Sequence, residues 1–425
     1  MKYLSGPRDM FAQREAAVTP ILLFEKDSSL NIPSAGWSAG DVVRRQQLLP
    51  DPAAWDLLAI ALSVVVADGQ SKRSDSPDGW TREFELDISL YDSDRWSPVS
   101  SAVEAALRFL TTDLWTMSFR PGGVFPRAPK KPRYPAAEAV VLLSGGLDSL
   151  VGAIDLSAQG RTLFAVSQTV RGDAEKQERF AKRIDGVLDH LQVNHNASTP
   201  RGEKETSQRS RSLIFLAFAV LAATATQRYR DGETVTVYLC ENGFIAINPP
   251  LTSARIGSLS TRTAHPEFLG KIQQVLDAVG LRVRIENPYS EKTKGEMLQE
   301  CLDQTLLLSE AHISTSCGRF QRFNYQHCGR CVPCQIRRAA FVAWGRNDTT
   351  PYVFDNLGRP DEDHSAFDDV RSVAIARLTV QEDGLDRWLG PVLSSPLIKN
   401  RPELRKMLQR GLDELGVLQA KYGLS

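Results

Sequence analysis

Two short stretches of the sequence combine residue types and spacings that can do chemistry. The first is Ser144-Gly145-Gly146-Leu147-Asp148-Ser149, which follows the apolar run AVVLL (139–143). A glycine pair after a buried strand allows a tight turn whose N–H groups can bind an anion, and the helix that follows adds the positive end of its dipole. Ser144 and Ser149 can add hydroxyl donors. Asp148 repels phosphate, but it suits a Mg²⁺ ion that bridges phosphates, or a hydrogen bond that shapes the loop.

The second stretch contains four of the six cysteines, namely Cys317, Cys328, Cys331 and Cys334. Thiolates at this spacing can complete a tetrahedron around one Zn²⁺ ion. Four protein ligands leave no open position for water, so the predicted site is structural. An iron–sulfur centre uses the same spacing and is the first alternative, and four unligated thiols are the second.

Arginines and aromatic residues surround the cysteines, and on a zinc knuckle they could bind nucleic acid. We favour the alternative that the arginines face phosphates or solvent and that the rings pack the knuckle. The formal net charge of +0 supports this choice, because no overall field draws the protein to nucleic acid. The residues in question are Arg319, Phe320, Arg322, Phe323, Tyr325, Arg330, Arg337 and Arg338.

Strands and helices alternate in the sequence from about residue 136 to 345, around both stretches. Short β-branched or apolar runs indicate strands, and longer amphipathic or apolar runs indicate helices. This alternation predicts an α/β fold with a doubly wound parallel sheet covered by helices on both faces. The strand candidates are 139–143, 162–168, 234–240 and 282–288, and the helix candidates are 210–227 and 265–280.

The flanking regions differ from this pattern. Residues 1–135 contain short apolar runs, a strand candidate at 80–92 and an amphipathic helix at 101–115, so we predict an α+β N-terminal domain of unknown role. Residues 346–425 are polar and predict a helical C-terminal extension. A hydrophobic content of 42%, a charged content of 24% and the lack of a signal-peptide pattern at the N-terminus predict a cytoplasmic protein.

The motif SGGLDS, followed about 170 residues later by C-x10-C-x2-C-x2-C, resembles the QueC family of PP-loop ATP pyrophosphatases. The resemblance covers about 136–345. It implies ATP as cofactor, with cleavage between the α- and β-phosphates. It also implies that 7-carboxy-7-deazaguanine is converted to 7-cyano-7-deazaguanine with ammonia.

The resemblance also implies roles for single residues. Arg211 in RSRSLIFLAFA and Lys294 in KTKGE (292–296) match family segments, and with Asp148 and Ser149 they form the predicted catalytic set. Arg262 and His265 lie in RTAHPEF (262–268), which resembles a family segment ending in RPEF, and we predict that they bind substrate. A solvated surface charge is the alternative for each lone Arg or Lys, and a structural helix-terminal residue is the alternative for His265.

Glu241 and Asn242 are substrate candidates because they follow a predicted strand, and doubly wound sheets bind ligands at strand ends. A carboxylate there can accept two N–H bonds from a guanine-like ring. The pair Asn242-Gly243 is equally common in turns, so a purely structural role stays open.

Two segments depart from the family pattern. Residues 167–171 replace its YGQRH, and residues 260–266 replace its SGYPDC. In these respects, and in its long flanking regions, the chain looks like QueC-like proteins of bacterial anti-phage systems, especially the QatC group of the Qat system. That likeness implies a 7-deazaguanine amide on a protein partner. The alternatives are a free 7-cyano-7-deazaguanine synthase and a non-catalytic nucleotide-binding scaffold.

Overall fold

Two five-stranded parallel sheets form the framework of the protein. The structure is a computed structural model that describes residues 1–13, 15–27, 31–186, 188–200, 205, 209–252, 262–359 and 368–424. All strand pairs within both sheets are parallel, which confirms the predicted α/β class.

The first sheet comes from the N-terminal region and has the strand order β3-β2-β1-β4-β5. Helices between its strands cover one of its faces. The region is therefore a parallel α/β unit and not the α+β domain that the sequence suggested, because all of its strand pairs are parallel. Its elements are β1 (Lys2–Gly6), β2 (Thr19–Leu23), β3 (Ser34–Ala35), α1 (Ala39–Arg45), α2 (Pro52–Gln70), β4 (Glu83–Leu90), α3 (Ser93–Trp96), α4 (Ser100–Thr111) and β5 (Leu114–Pro121).

The second sheet has the order β10-β9-β6-β7-β8 and carries both chemical motifs. The predicted strands and helices of this region are confirmed, and β8 adds a strand that the sequence pattern did not reveal. Its elements are β6 (Ala139–Leu142), α5 (Leu147–Ala158), β7 (Leu163–Gln168), α6 (Ala174–Arg183), β8 (Asp189–Val193), α7 (Arg211–Thr224), α8 (Gln227–Arg230), β9 (Val235–Tyr238), α9 (Gly243–Ile247), α10 (Pro266–Ala278), β10 (Val283–Glu286), α11 (Lys294–Glu300), α12 (Gln304–Glu310) and α13 (Val332–Trp344).

A helical layer joins the two sheets through one continuous hydrophobic core. On the side of the first sheet, α2 and α4 pack on the strands, and they meet α7 and α10 from the second sheet. The opposite face of the second sheet packs on α5, α11 and α13 in a separate core. Helix α2 is long and apolar enough to cross a membrane, but 94% of its apolar window is buried inside the protein. Its apolar character therefore serves the shared core.

A buried ion network ties the N-terminal region to α7. Arg82 donates to both Asp68 and Asp113, at 2.6 and 2.7 Å, and Arg73 donates to both carboxylate oxygens of Asp113 at 2.9 Å. The second oxygen of Asp68 accepts from the backbone N–H of Ser210 at 3.1 Å and from its hydroxyl at 2.6 Å. Asp68 thus fixes the residue immediately before α7.

The C-terminal region is helical, as predicted, and forms a third core. Its helices pack against α9 and α13, so the region lies on the side of the molecule that carries the cysteines. The elements are α14 (Asp369–Asp383), α15 (Leu385–Leu389) and α16 (Arg401–Ala420).

Candidate active site

The loop 144–149 joins β6 to α5 and is shaped by its own serines and glycines. The hydroxyls of Ser144 and Ser149 lie 3.0 Å apart, and Ser149 Oγ donates to the carbonyl of Gly146 at 2.9 Å. Gly145 has φ +87°, a conformation that favours glycine. At Gly146 a Cβ atom would lie 3.3 Å from the carbonyl oxygen of Thr315. The glycine pair is therefore needed for the turn and for the close approach of a neighbouring segment.

The neighbouring segment is 315–318, which closes one side of the loop. Thr315 N donates to Gly145 O at 2.9 Å. Beside the loop lies a cavity of about 280 Å³, and the first residues of α5 line it. The N–H groups of these residues have no acceptor within the helix. These donors and the helix dipole make the cavity suitable for an anion such as a phosphate group. The cavity is lined by Ser144, Gly146–Ser149, Cys240, Glu241, Ile245, Asn248, Lys294, Thr315–Gly318 and Pro333.

Asp148 is buried at the edge of this cavity and holds two other predicted site residues. One carboxylate oxygen pairs with the ammonium of Lys294, and the other accepts from Asn242 Nδ2 at 2.7 Å and from its backbone N–H at 3.2 Å. Burial alone would raise the pKa of Asp148, but Lys294 and the hydrogen bonds outweigh it and hold that pKa well below its usual range. Asp148 is therefore ionised at neutral pH.

Glu241 shares a hydrogen bond with Asp148 and has the opposite character. Its burial, and next the negative charge of Asp148, raise the pKa of Glu241 well above its usual range. Asn242 bridges the pair, since its Nδ2 also donates to Glu241 Oε1 at 3.0 Å. Two adjacent carboxyl groups with separated pKa values are typical of functional sites. Asn242 also caps α9 through Ile245 N, so it serves both the turn and the site.

The four predicted cysteine ligands lie together and are buried. Their Sγ atoms are all within 4.8 Å of one another. Backbone N–H groups point at the sulfurs, including Arg319 N to Cys317 Sγ at 3.3 Å and Cys331 N to Cys328 Sγ at 3.3 Å. These N–H donors stabilise thiolates, and four clustered thiolates fit a structural zinc site. The cluster lies beside the loop cavity, because Cys317 and Pro333 line it.

The arginines that follow the cysteines are mostly structural. Arg337 donates to the carbonyls of Ala311 at 2.7 Å and Ser314 at 3.2 Å, and Arg338 donates to the carbonyl of Phe354 at 3.2 Å. Both are buried, as is Arg330, which binds carbonyls of the segment 356–359. These three side chains brace the knuckle, so they present little charge to a nucleic acid.

Arg211 is not among the residues that line the loop cavity; its charge acts on Asp173 and His195, which follow β7 and β8 in the chain. Burial lowers its pKa, and Asp173 opposes that shift. Asp173 connects Arg211 with the loop through Thr315, because its carboxylate accepts from Thr315 Oγ1 at 2.6 Å. Lys176 reaches the same hydroxyl at 2.6 Å, and its burial lowers its pKa. No spacing in the sequence pointed to Thr315 or Lys176, because both reach the loop only through tertiary contacts.

Arg262 and His265 line a second cavity of about 420 Å³, with Asn248 common to both cavities. The Arg262 guanidinium lies over the Phe109 ring, 4.6 Å from its centroid, and donates to Phe109 O at 3.0 Å. His265 caps α10, since its Nδ1 accepts from Glu267 N at 3.2 Å. Burial, and next Arg262, lower the pKa of His265 to about 3. A neutral imidazole that caps a helix favours the structural alternative for His265. Residues 260 and 261 of this segment lie outside the described residues.

Comparisons with known proteins show which proteins this part of the chain resembles. The family model described as "Queuosine biosynthesis protein QueC" matches residues 263–345. The chain is 27% identical over 241 residues to the 7-cyano-7-deazaguanine synthase of Ectopseudomonas mendocina (strain ymp). The matched region covers 51% of this chain and 98% of that enzyme. For the synthase of Methanocaldococcus jannaschii the identity is 26% over 230 residues, covering 51% of this chain and 99% of that enzyme. The chain therefore contains a QueC-like domain that accounts for about half of its length.

Proposed function

We propose that this protein uses ATP to adenylate the carboxylate of a 7-deazaguanine and then forms a carbon–nitrogen bond at the activated carbon. The observation that carries the proposal is the Asp148 cluster, in which Lys294 and Asn242 bind a carboxylate of the loop that lines the cavity beside the cysteines. The similarity to 7-cyano-7-deazaguanine synthases supplies the substrate class.

In the first step a carboxylate oxygen of the substrate attacks the α-phosphorus of ATP. The bond between that phosphorus and the bridging oxygen breaks, and pyrophosphate leaves with the electron pair. The N–H groups at the start of α5 bind the pyrophosphate, where negative charge increases in the transition state. The Lys294 ammonium offsets part of this charge, and its pairing with Asp148 keeps it at the edge of the cavity.

Arg211 has a supporting role in this proposal. Its guanidinium interacts electrostatically with Asp173, which binds Thr315 beside the loop, and it would add positive charge near the bound nucleotide.

Residues that can hold a Mg²⁺ ion line the cavity. Asp148 and Glu241 are adjacent carboxyl groups at the cavity, and carboxylate oxygens are ligands that Mg²⁺ prefers. A bound Mg²⁺ ion would offset phosphate charge and keep Glu241 ionised.

In the second step an amine attacks the acyl carbon and AMP leaves. Ammonia is the acceptor that the relatives' names favour, since a second ATP can adenylate the oxygen of the resulting amide, and departure of that oxygen with AMP leaves a nitrile. A protein amine reacts with an acyl-adenylate in the same way. Conjugation of the 7-deazaguanine to a protein partner, as in anti-phage systems, is therefore the second outcome, and an experiment must distinguish it from the reaction with ammonia. The contacts of the described residues give no support to a particular partner.

The test is product analysis with purified protein, ATP, 7-carboxy-7-deazaguanine and ammonium. We expect AMP and pyrophosphate, with loss of both in Lys294→Met. Lys292→Met is the matched control, because Lys292 lies two residues away, pairs with Glu300 at the surface and should keep full activity. Release of ADP and phosphate, or no nucleotide cleavage, would contradict the proposal.

The acceptor is identified by mass spectrometry in the same reactions. Free 7-cyano-7-deazaguanine indicates ammonia. The other result is that a co-expressed protein encoded by a neighbouring gene gains the mass of one 7-deazaguanine acyl group. If this gain is absent with Lys294→Met, the acceptor is a protein amine.

A further inference from the structure

The C-terminal helix α16 contacts the segment that carries Lys294, and none of the residues of α16 lines the cavity. Arg410 donates to both carboxylate oxygens of Glu296, at 2.5 and 3.2 Å, and to the carbonyl of Glu291 at 3.0 Å. One turn further along α16, Glu414 accepts from Thr293 Oγ1 and from the backbone N–H of Gly295. The residues that α16 contacts therefore bracket Lys294 on both sides.

These contacts are made to the capping box that starts α11. Thr293 Oγ1 accepts from Glu296 N at 3.1 Å, and Glu296 Oε2 accepts from Thr293 N at 2.8 Å. Both side chains of the box have their outer partner on α16, Arg410 for Glu296 and Glu414 for Thr293. A capping box fixes the first turn of its helix, and Lys294 is the first residue of α11. Contacts with α16 thus act on the backbone from which Lys294 reaches Asp148.

The same helix also supports the second partner of Asp148. Gly411 faces Phe244 of α9 so closely that a Cβ there would lie 2.2 Å from the ring. Met407 Cε lies 2.8 Å from the position of a Cβ on Gly243, the residue after Asn242. Gly243 N in turn donates to the carbonyl of Lys292 at 2.8 Å. One helix therefore packs on both segments that hold the Asp148 carboxylate.

We propose that Arg410 and Glu414 of α16 are positioning residues, which set the placement of Lys294 against Asp148 for the adenylation step. This inference rests on the proposed function, and it gives the C-terminal region a role in that reaction. Helix α16 lies outside the residues 263–345 matched by the family model. The chain thus uses an added helix to order a QueC-like site.

The test compares Arg410→Ala with Lys406→Ala. Lys406 is on the same helix, and its side chain is 66% exposed and pairs with Glu403 of that helix. We expect Arg410→Ala to lower kcat for AMP formation by about ten- to hundredfold at temperatures where it is fully folded, because small misplacements of reacting groups have effects of this size. KM for ATP should change by less than about threefold, because the N–H donors that bind the phosphates belong to α5. Lys406→Ala should match the wild type.

Glu414 supplies a second pair of variants. Glu414→Gln retains an oxygen that accepts from Thr293 and Gly295 and should keep most of kcat. Glu414→Met has a similar volume but no such acceptor, and it should lose kcat as Arg410→Ala does. Wild-type kcat in folded Arg410→Ala or in Glu414→Met would overturn the inference, even if stability falls.

A stability measurement separates failure of this inference from failure of the proposed function. If the wild type forms no AMP, the proposed adenylation is wrong, but the coupling of Arg410 to Lys294 can still be measured by urea unfolding. If α16 positions Lys294, Arg410→Ala should change the unfolding equilibrium constant at least about fivefold less in a Lys294→Met background than in the wild type. Additive effects would refute the positioning role.

Discussion

The Asp148–Lys294 pair allows a quantitative test of the site's electrostatics. Lys294→Met removes the ammonium and leaves Asp148 buried, with Asn242 and the Glu241 carboxyl group as its remaining hydrogen-bond partners. The carboxylate must then either stay charged without its counterion or take up a proton. Protonation at pH 7 of a group whose ordinary pKa is 3.8 requires about 4 kcal/mol. This figure lies within the range of about 3–5 kcal/mol for breaking a buried ion pair. We expect a loss of unfolding free energy of this size.

The pH dependence gives the prediction its sign. In the wild type the folded-state pKa of Asp148 is depressed, so its contribution to stability is present above the unfolded pKa and is lost only in acid. In Lys294→Met the folded-state pKa is raised instead, so the variant regains stability as the pH falls from 7. The difference between wild type and variant should shrink by about 3 kcal/mol between pH 7 and pH 5.

Urea unfolding of four proteins at both pH values is the assay: wild type, Lys294→Met, Asp148→Asn and the double variant. The double variant should be at least about 2 kcal/mol more stable at pH 7 than additivity predicts, because no uncompensated charge remains. Additive losses that do not change with pH would refute the view that the charge of Lys294 is what keeps Asp148 ionised.

Three further expectations follow from other contacts. Purified protein should contain about one zinc ion per chain, and Cys331→Ser should lower this content and expose 310–340 to proteolysis; iron or no metal by elemental analysis would contradict the assignment. Burial raises the pKa of Glu414 to about 7 from 4.5, so this side chain stabilises the folded state at low pH. As the pH rises from 4.5 to above 7, the unfolding free energy of the wild type should fall by up to about 3 kcal/mol relative to that of Glu414→Gln. Parallel pH profiles of the two proteins would refute this. Asp68→Asn should destabilise the protein by about 3 kcal/mol or more, because Arg82 loses one of its two buried carboxylates; an unchanged urea midpoint would argue against the network.

Local motifs were predictable from the sequence because their chemistry depends on neighbours in the chain. The phosphate loop and the four cysteines are of this kind, and the parallel sheet around them follows from alternating strands and helices. The placement of Asn242 against Asp148 was not predicted, although its position after a strand pointed to this edge of the sheet. Of the predicted substrate residues, Glu241 lines the cavity at the loop, whereas Arg262 and His265 line a second cavity, and no spacing in the sequence could reveal this division.

The flanking regions were less predictable for a physical reason. The strands of the N-terminal region are partly polar, and helix α16 has charged residues on the face that meets segment 291–296. Charged positions such as Arg410 and Glu414 indicate a solvated surface when only the helical pattern is known. Their roles depend on which partner the tertiary fold brings to them. The division at 135 and 345 remains a proposal for the same reason, since the first core crosses one of these boundaries.

The helical layer between the two sheets determines which apolar surface of the chain stays exposed during its synthesis. Helices α2 and α4 are complete before residue 112, but their partners α7 and α10 end only at residues 224 and 278. At translation rates of about 5–20 residues per second, the outer faces of α2 and α4 stay uncovered for on the order of ten seconds. During that interval the nascent chain presents a large apolar surface. A chaperone that binds apolar segments should therefore associate with the first half of the protein until α10 has been synthesised.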